Sequence, residues 1–489
     1  MNCCKKILNA GMFTLIICGI FLRFAFLFIA FEYDELFTVI TVNPAHALGW
    51  IVKNWLMIDV HPPLYNVLLY GVNRLYYCVS EWWIRWPSLC FSLAAVWVSW
   101  RMFPAKLGKG ARWIFVGLMA CSFQLIHFAP QARSYSLLLL LSLLQMFVSL
   151  DIWHSIQNNI NVSGRKWALW SVWSVLLCYT HYFGIAVFCA SAIMLAVQSL
   201  VLKRRFLRLF FCSLGTFGCA CLWMIPNFVS NWSQKRFNGE WWAADYRLTE
   251  GIFYTAEFIF SSYFIYILVC VACLAAVVAD FRRVVKKKDY GLLSEKVFVF
   301  GVISIVVLTI LLMSLKLYLM IPRFFIVLFP YVYLFVSLCL EKYAEKSLFV
   351  RALLVGICAW NVFSFASYSV YRYRQMPDNA KEFAVHFLTQ HKEQELFVFV
   401  MEGLPREALQ AMFSYYIQSY YGREDISVRV LNMLDEKDMA NLLITHPDTV
   451  VWIPNCSNFK IAYLKKQTGL PLVLTKSLGS HCEVKLRSP

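Results

Sequence analysis

Charged side chains are scarce in this 489-residue chain: they account for 15% of it, and only 28 residues are acidic. Soluble domains usually contain about 25% charged and roughly 45–50% apolar residues. Here 60% of the residues are apolar and the mean hydropathy is +0.60. These values exclude a water-soluble enzyme, a disordered chain and a disulfide-built scaffold. A polytopic membrane protein remains, because only a lipid-facing surface accommodates so many apolar side chains.

Internal repeats, Gly/Ser linkers and low-complexity tracts are also missing from the sequence. Many of the 17 cysteines lie within apolar runs, where cysteine behaves as a small hydrophobic residue. The cysteines therefore predict neither a metal site nor a redox framework. The first apolar run follows Lys5 and Lys6 and has no small-residue cleavage site, so we expect it to be an uncleaved first span.

Long apolar runs are abundant, and a transmembrane helix needs about 20 mainly apolar residues. We predict eleven spans near residues 8–31, 84–103, 112–129, 135–152, 167–181, 183–202, 207–225, 251–279, 296–315, 323–340 and 348–369. A further apolar stretch, 64–79, contains Asn66, Asn73 and Arg74. We expect it to be an interfacial or re-entrant helix that does not cross.

The net charge of +17 follows the topology. Every second connection between spans carries a basic cluster, as the positive-inside bias requires, so nucleic-acid binding is not needed to explain the charge. The clusters predict a cytoplasmic N-terminus and an external C-terminus. The external connections are then 32–83, a short link around 130–134, the Thr180–His181 link, 226–250 and 316–323.

The composition changes near residue 376, where polar residues begin to alternate with short apolar strands. Strand-like runs near 396–400 and 449–453 are separated by helical patterns near 378–391, 405–421 and 457–467. We therefore predict two domains, a transmembrane domain over 1–375 and a small periplasmic α/β domain over 376–489.

Two groups of polar residues stand out in the first external loop. Asp34 and Glu35 follow the first span directly, at the membrane boundary. An ionised group there costs free energy, so it is usually ion-paired or functional. A carboxylate there can act as a general base, although a solvated pair in a loop is the alternative. Asp59 and His61 precede two prolines; Asp59 also suits a helix cap, and His61 an interfacial position.

Three basic residues fall on the external side, where the positive-inside bias disfavours them: Arg133, Lys316 and Arg323. A guanidinium binds phosphate oxygens through two parallel hydrogen bonds, so these positions favour a site for a lipid-linked phosphate. Snorkelling of the side chains toward headgroups is the alternative. Tyr135, next to Arg133 in the chain, is a further site candidate.

Several motifs occur in a recognisable order in this chain. The acidic pair is followed by Asp-x-His-Pro-Pro-Leu at 59–64 and by Arg-Trp-Pro-Ser at 85–88. Gln-Ala-Arg-Ser-Tyr at 131–135, Thr-His-Tyr at 180–182 and Pro-Arg-Phe at 322–324 come next. Over roughly residues 10–340 the chain resembles the GT-C superfamily of integral-membrane glycosyltransferases. It is most similar to the bacterial branch that includes relatives of protein O-mannosyltransferases and of the lipid A aminoarabinose transferase.

This resemblance implies transfer of a sugar from a polyprenyl-phosphate donor to a hydroxyl of a lipid, glycan or protein at the outer face of the membrane, with inversion. It implies that Asp34 is the general base and that Glu35 assists it. Arg133 and Arg323 would hold the donor phosphate, with His61 and Arg85 as supporting site residues; Asp59 and His181 lie within the matching motifs. Some members of the superfamily use a divalent metal near the first-loop carboxylates, but this sequence has no DxD motif, so we predict no metal ligands there.

A transporter or flippase without transferase chemistry is the main alternative. Such a protein would carry Gly- or Pro-broken helices in the middle of the membrane, often in repeated halves. Here the ionisable residues cluster toward one face, which favours an enzyme. A scaffold subunit without chemistry of its own is a third possibility. Loss of sugar transfer on replacing Asp34 with Asn would distinguish the enzyme from both.

Overall fold

The computed structural model describes residues 2–59, 61–78, 80–233, 248–287, 294–315, 319–374, 380–391, 395–400, 406–432, 450–454, 458–468, 472–478 and 481–486. The chain is a polytopic α-helical membrane protein with a small C-terminal sheet. Its α-helices are α1 (Asn2–Leu22), α2 (Tyr33–Thr41), α3 (Leu48–Asn54), α4 (Leu64–Leu75), α5 (Glu81–Arg101), α6 (Lys109–Cys121), α7 (Phe123–His127), α8 (Tyr135–Gln157), α9 (Gly164–Cys178), α10 (Tyr182–Val201), α11 (Phe206–Ser233), α12 (Leu248–Phe260), α13 (Tyr263–Lys287), α14 (Ser294–Ser314), α15 (Phe329–Lys346), α16 (Leu348–Arg374), α17 (Ala380–Gln390), α18 (Arg406–Ser414) and α19 (Asn458–Thr468).

Five strands form one mixed sheet: β1 (Glu395–Val400), β2 (Ser427–Asn432), β3 (Val450–Ile453), β4 (Leu472–Leu478) and β5 (His481–Leu486). The strand order is β2-β1-β3-β5-β4. β1 is parallel to β2 and β3, whereas β5 is antiparallel to β3 and β4. This confirms a small C-terminal α/β domain, and the buried residues Phe397, Phe399, Val451, Ile453 and Val484 form part of its core.

The chain folds into two compact units. The first comprises Met1–Phe26, Leu56–Tyr65 and Trp86–Tyr368, and the second comprises Leu27–Trp55, Asn66–Arg85 and Ser369–Pro489. The second unit thus combines the C-terminal sheet with segments of the predicted first external loop. A domain boundary at residue 376 stays a prediction.

Among the described residues, eight helices have the length and apolar composition needed to cross a membrane. They are Cys4–Leu22, Tyr135–Gln157, Tyr182–Val201, Phe206–Ser230, Tyr263–Arg283, Glu295–Ser314, Pro322–Lys346 and Leu348–Tyr373. The other three predicted spans correspond to α5, to α6 with α7, and to α9. The predicted interfacial helix at 64–79 corresponds to α4. It has 12 residues, and a helix needs about 20 residues to span the hydrocarbon core.

Three predicted span boundaries are wrong. The first helix ends at Leu22 and not near residue 31, and α11 continues to Ser233, eight residues into the predicted external loop at 226–250. The predicted span 251–279 is two helices, α12 and α13, because Ser261 adopts a left-handed conformation (φ 54°) that ends α12. Side chains of later helices satisfy the carbonyls freed there: the Tyr333 hydroxyl donates to Ile259 O (2.9 Å) and Trp360 Nε1 to Ser261 O (3.4 Å).

The buried side chain of Arg23 ties together three helices of the first unit. Its guanidinium donates to the carbonyls of Gly19 (2.7 Å), Met119 (2.8 Å) and Ala120 (2.6 Å), and its Nε donates to Ser92 (3.1 Å). These carbonyls lie at helix C-terminal ends, which lack intrahelical donors. Gly19 is required for this approach, because a Cβ there would lie 2.3 Å from Ala120 O.

The sequence analysis predicted no redox framework, but Cys482 on β5 of the C-terminal sheet is disulfide-bonded. The prediction failed because most cysteines of this chain lie in apolar helices, and this pattern hides the few that belong to the C-terminal sheet domain.

Candidate functional site

The segment between Asp59 and α4 positions the first part of the site. His61 N donates to Asp59 Oδ1 (3.1 Å), which folds the segment into a tight turn, and Leu64 N donates to Tyr179 O (3.0 Å). The turn places His61 Nδ1 3.2 Å from Asp59 Oδ1 and 3.1 Å from Arg133 Nη2. One ring nitrogen cannot donate to Asp59 and accept from Arg133 at once, so the tautomer of His61 selects between these partners.

His181 lies in the same cluster, in the connection between α9 and α10. Its ring centroid is 5.3 Å from that of His61 and 4.9 Å from that of Phe324. Burial, and then the charges of His61, Arg133 and Arg323, hold the pKa of His181 well below its usual range. The imidazole is therefore neutral at pH 7.

Hydrogen bonding shows which nitrogen of His181 carries the proton. Nδ1 accepts from Phe183 N (3.1 Å) at the start of α10, so Nε2 bears the hydrogen. Nε2 is buried and has no hydrogen-bond partner among the described residues, and the same is true of Asp59 Oδ2. Buried polar atoms are normally paired. A donor without an acceptor, beside two guanidiniums, points to an anionic ligand.

Two further residues shape this cluster. Asn227 is buried and donates to the carbonyls of Met57 (2.9 Å) and Asp59 (3.0 Å), while its Oδ1 accepts from the Tyr182 hydroxyl. Asn227 thus fixes the backbone that carries Asp59. Sequence reasoning missed it, although an asparagine directly after Pro226 in an apolar run was an available signal.

The second unit contains the predicted acidic pair. Glu35 and Arg85 form a buried ion pair in which Oε1 lies 2.8 Å from Nε and Oε2 lies 2.5 Å from Nη2. Arg85 also donates to the carbonyls of Ile29 and Ala30 (3.0 Å to Ala30). Glu35 Oε2 in turn accepts from Glu32 N (2.9 Å), so the carboxylate also caps α2.

Asp34 differs from Glu35 in its surroundings. It is in the first turn of α2 and is partly exposed, whereas Glu35 is 1% exposed. Glu32, which the sequence analysis did not single out, ion-pairs with Arg372 (3.3 Å). Of the two predicted carboxylates, Asp34 is therefore the more exposed to solvent.

A divalent metal at the acidic pair does not fit the contacts of Glu35. Each of its carboxylate oxygens already accepts from the Arg85 guanidinium, whose positive charge occupies the place a cation would take.

The remaining predicted site residues are placed as follows. The Arg323 guanidinium carbon lies 5.9 Å from the Phe324 ring centroid, and the charge of Arg323 helps to lower the pKa of His181. Tyr135 is buried with its ring 4.9 Å from that of Phe128. Lys316 lies outside the described residues. The structure thus brings Asp59, His61, Arg133, His181 and Arg323 together in the first unit, and Asp34, Glu35 and Arg85 belong to the second.

A large apolar cavity of about 1160 Å³ lies between α12, α13, α14 and α15 in the first unit. The segment Pro322–Leu328, which carries Arg323, contributes Phe325 and Leu328 to the lining. The segment Pro322–Leu328 therefore carries an arginine, a side chain suited to binding phosphate, next to residues that line an apolar cavity.

Comparison with solved structures identifies the fold. Over 96% of its length the chain is similar to the crystal structure of ArnT from Cupriavidus metallidurans in the apo state (TM-score 0.59, 13% identity, 97% of that chain). Over 98% it is similar to the structure of the same protein bound to undecaprenyl phosphate (TM-score 0.52, 12% identity, 97% of that chain). The chain therefore shares the fold of these ArnT structures. No protein-family model and no curated protein matches the sequence.

Proposed function

We propose that this protein is a bacterial inner-membrane glycosyltransferase that takes a sugar from a polyprenyl-phosphate donor. The observation that carries the proposal is the Nε2–H donor of neutral His181, which has no hydrogen-bond partner among the described residues and lies within reach of the charges of Arg133 and Arg323. The ArnT fold, seen in one structure with undecaprenyl phosphate, supports the same ligand class. A phosphate can accept hydrogen bonds from all three groups at once.

The apolar cavity supports a lipid as the carrier of that phosphate. A phosphate held by Arg323 places its ester-linked chain beside Phe325 and Leu328, which line the cavity. Burial of the chain contributes about 0.8 kcal/mol per CH₂ group, which anchors the donor and leaves its phosphate at the polar cluster.

The reaction follows as a direct displacement. A hydroxyl of a lipid, glycan or protein acceptor attacks the anomeric carbon and gives its proton to Asp34. The bond between that carbon and the phosphate oxygen breaks, and polyprenyl phosphate leaves with the electron pair. A single displacement inverts the anomeric configuration. Positively charged side chains beside the leaving phosphate lower the activation barrier most where water is excluded.

The phosphate contacts give a direct test. Arg133→Ala and Arg323→Ala are each expected to weaken undecaprenyl phosphate binding by roughly ten- to a hundredfold, since hydrogen bonds to charged groups contribute about 1.5–3 kcal/mol. Arg→Lys should restore only part of the affinity, because an ammonium keeps the charge and loses the fork. Binding is measured on purified protein in lipid nanodiscs.

Arg101→Ala is the matched control, because Arg101 is an exposed arginine at the end of α5. It should bind undecaprenyl phosphate as the unmodified protein does. If both Ala variants at Arg133 and Arg323 bind it equally well, the phosphate site lies elsewhere.

Orientation in the membrane is a separate prediction. We propose that the N-terminus and the basic segment around Lys287 are cytoplasmic and that residues 376–489 are periplasmic. The disulfide of Cys482 supports this, because disulfides persist in oxidising compartments such as the periplasm. Alkaline phosphatase and green fluorescent protein fusions at Lys287 and Ser488 should report opposite sides, and a common side for both contradicts the model.

A further inference from the structure

Three ionisable side chains that the sequence analysis did not single out converge in the second unit. His386 is on α17, His391 directly follows α17, and Glu483 is on β5. The Nε2 atoms of His386 and His391 lie 3.0 Å and 2.9 Å from the same oxygen, Oε2 of Glu483. One ligand-type atom from each residue lies within 4.8 Å of the others.

The arrangement matches what a zinc ion requires. With bonds of about 2.0–2.2 Å, tetrahedral ligand atoms are separated by roughly 3.3–3.4 Å. The two nitrogen–oxygen distances need to lengthen by only a few tenths of an ångström to reach that spacing. The two imidazole planes are 82° apart, so the rings approach the carboxylate oxygen from different directions. Two imidazoles and one carboxylate are a common zinc ligand set.

The carboxylate is also held as metal ligands usually are. Glu483 is 3% exposed, and its second oxygen, Oε1, accepts from the Thr475 hydroxyl (2.6 Å) on the neighbouring strand β4. This hydrogen bond leaves Oε2 turned toward the imidazoles. Outer hydrogen bonds of this kind orient the ligands in known metal sites.

We propose that His386, His391 and Glu483 bind a Zn²⁺ ion, with water in the fourth position. The ion links the end of α17 to β5 and so joins two segments that are almost 100 residues apart in sequence. None of the three proposed ligands is a cysteine, so the cysteine pattern in the sequence could not have indicated this metal site. Its role is to stabilise the C-terminal sheet, independently of sugar transfer.

The test is metal analysis of the full-length protein, purified in detergent with an affinity tag that contains no histidine. Mass spectrometry of the metals should find roughly one zinc per chain. Glu483→Gln and His386→Ala should each lose it, whereas His154→Ala, which changes a histidine of α8, should retain it. Thr475→Val removes no ligand and should weaken zinc affinity by roughly 10- to 100-fold.

Unmodified protein provides a readout that does not depend on how the variants fold. After removal of metal with a chelator, Co²⁺ should restore a tetrahedral visible absorption band, and the chelator alone should lower the melting temperature. The proposal is overturned if the unmodified protein contains no zinc and gives no Co²⁺ band. It is equally overturned if Glu483→Gln and His386→Ala retain zinc at the level of the His154→Ala control.

Discussion

Asp34→Asn is expected to lower sugar transfer by about 10²–10⁴-fold and to leave undecaprenyl phosphate binding unchanged. The change keeps the size of the side chain and removes its ability to accept the proton of the attacking hydroxyl. Glu35 is a poor substitute, because both of its oxygens accept from Arg85. Binding should survive, because the proposed phosphate ligands belong to a different part of the chain.

The assay begins with mass spectrometry of glycolipids and glycoproteins from cells that have or lack the protein, which identifies the product. Transfer is then quantified in membranes that contain equal amounts of each variant. Asp151→Asn is the matched control, because Asp151 is a partly exposed aspartate of α8. A fully active Asp34→Asn protein that inserts normally would remove Asp34 from the mechanism, and Glu32 would become the next carboxylate to examine.

Glu35→Gln and Arg85→Met are each expected to destabilise the protein by about 3–5 kcal/mol, because each leaves one buried charge without its partner. Glu35 and Arg85 are 1% and 2% exposed. The double variant should lose less than the sum of the two single changes, since the second change removes the charge that the first left unpaired. Unfolding of the purified protein in detergent measures all three.

The exposed pair of Arg423 and Asp425 is the control for this experiment. Its two hydrogen bonds, 2.8 Å and 2.7 Å, join a guanidinium to a carboxylate much as in the buried pair, but the solvent screens both groups. Asp425→Asn should leave stability almost unchanged. If Glu35→Gln is as mild as Asp425→Asn while transfer is lost, Glu35 has a direct chemical role and is more than a support for α2.

The elements that sequence predicted best are those with a strong, uninterrupted signal. Apolar length predicted the eight helices that are long and apolar enough to cross a membrane, and short apolar runs predicted β1 and β3, because each signal is local to its segment. Asp59, His61, Arg133, His181 and Arg323 stay predicted site residues, since only the resemblance and their chemistry assign them a role. The structure adds that they share one cluster.

Features that depend on distant partners escaped prediction. The ion pair of Glu35 with Arg85 joins residues 50 positions apart, and the sequence around either residue does not indicate its partner. The break at Ser261 was missed because hydropathy does not register a single left-handed residue whose flanking carbonyls are satisfied from α15 and α16. The role of Asn227 likewise depends on backbone atoms of a segment 170 residues earlier.

The position of β5 in the sheet has a consequence for how the C-terminal unit matures. β5 follows β4 in the chain but lies between β3 and β4. Until β5 has emerged and paired, β3 exposes one row of backbone donors and acceptors, and β4 has no neighbour among the described strands. Open edges of this kind recruit strands from other molecules. Slow pairing of β5 would therefore favour aggregation of this unit over its folding.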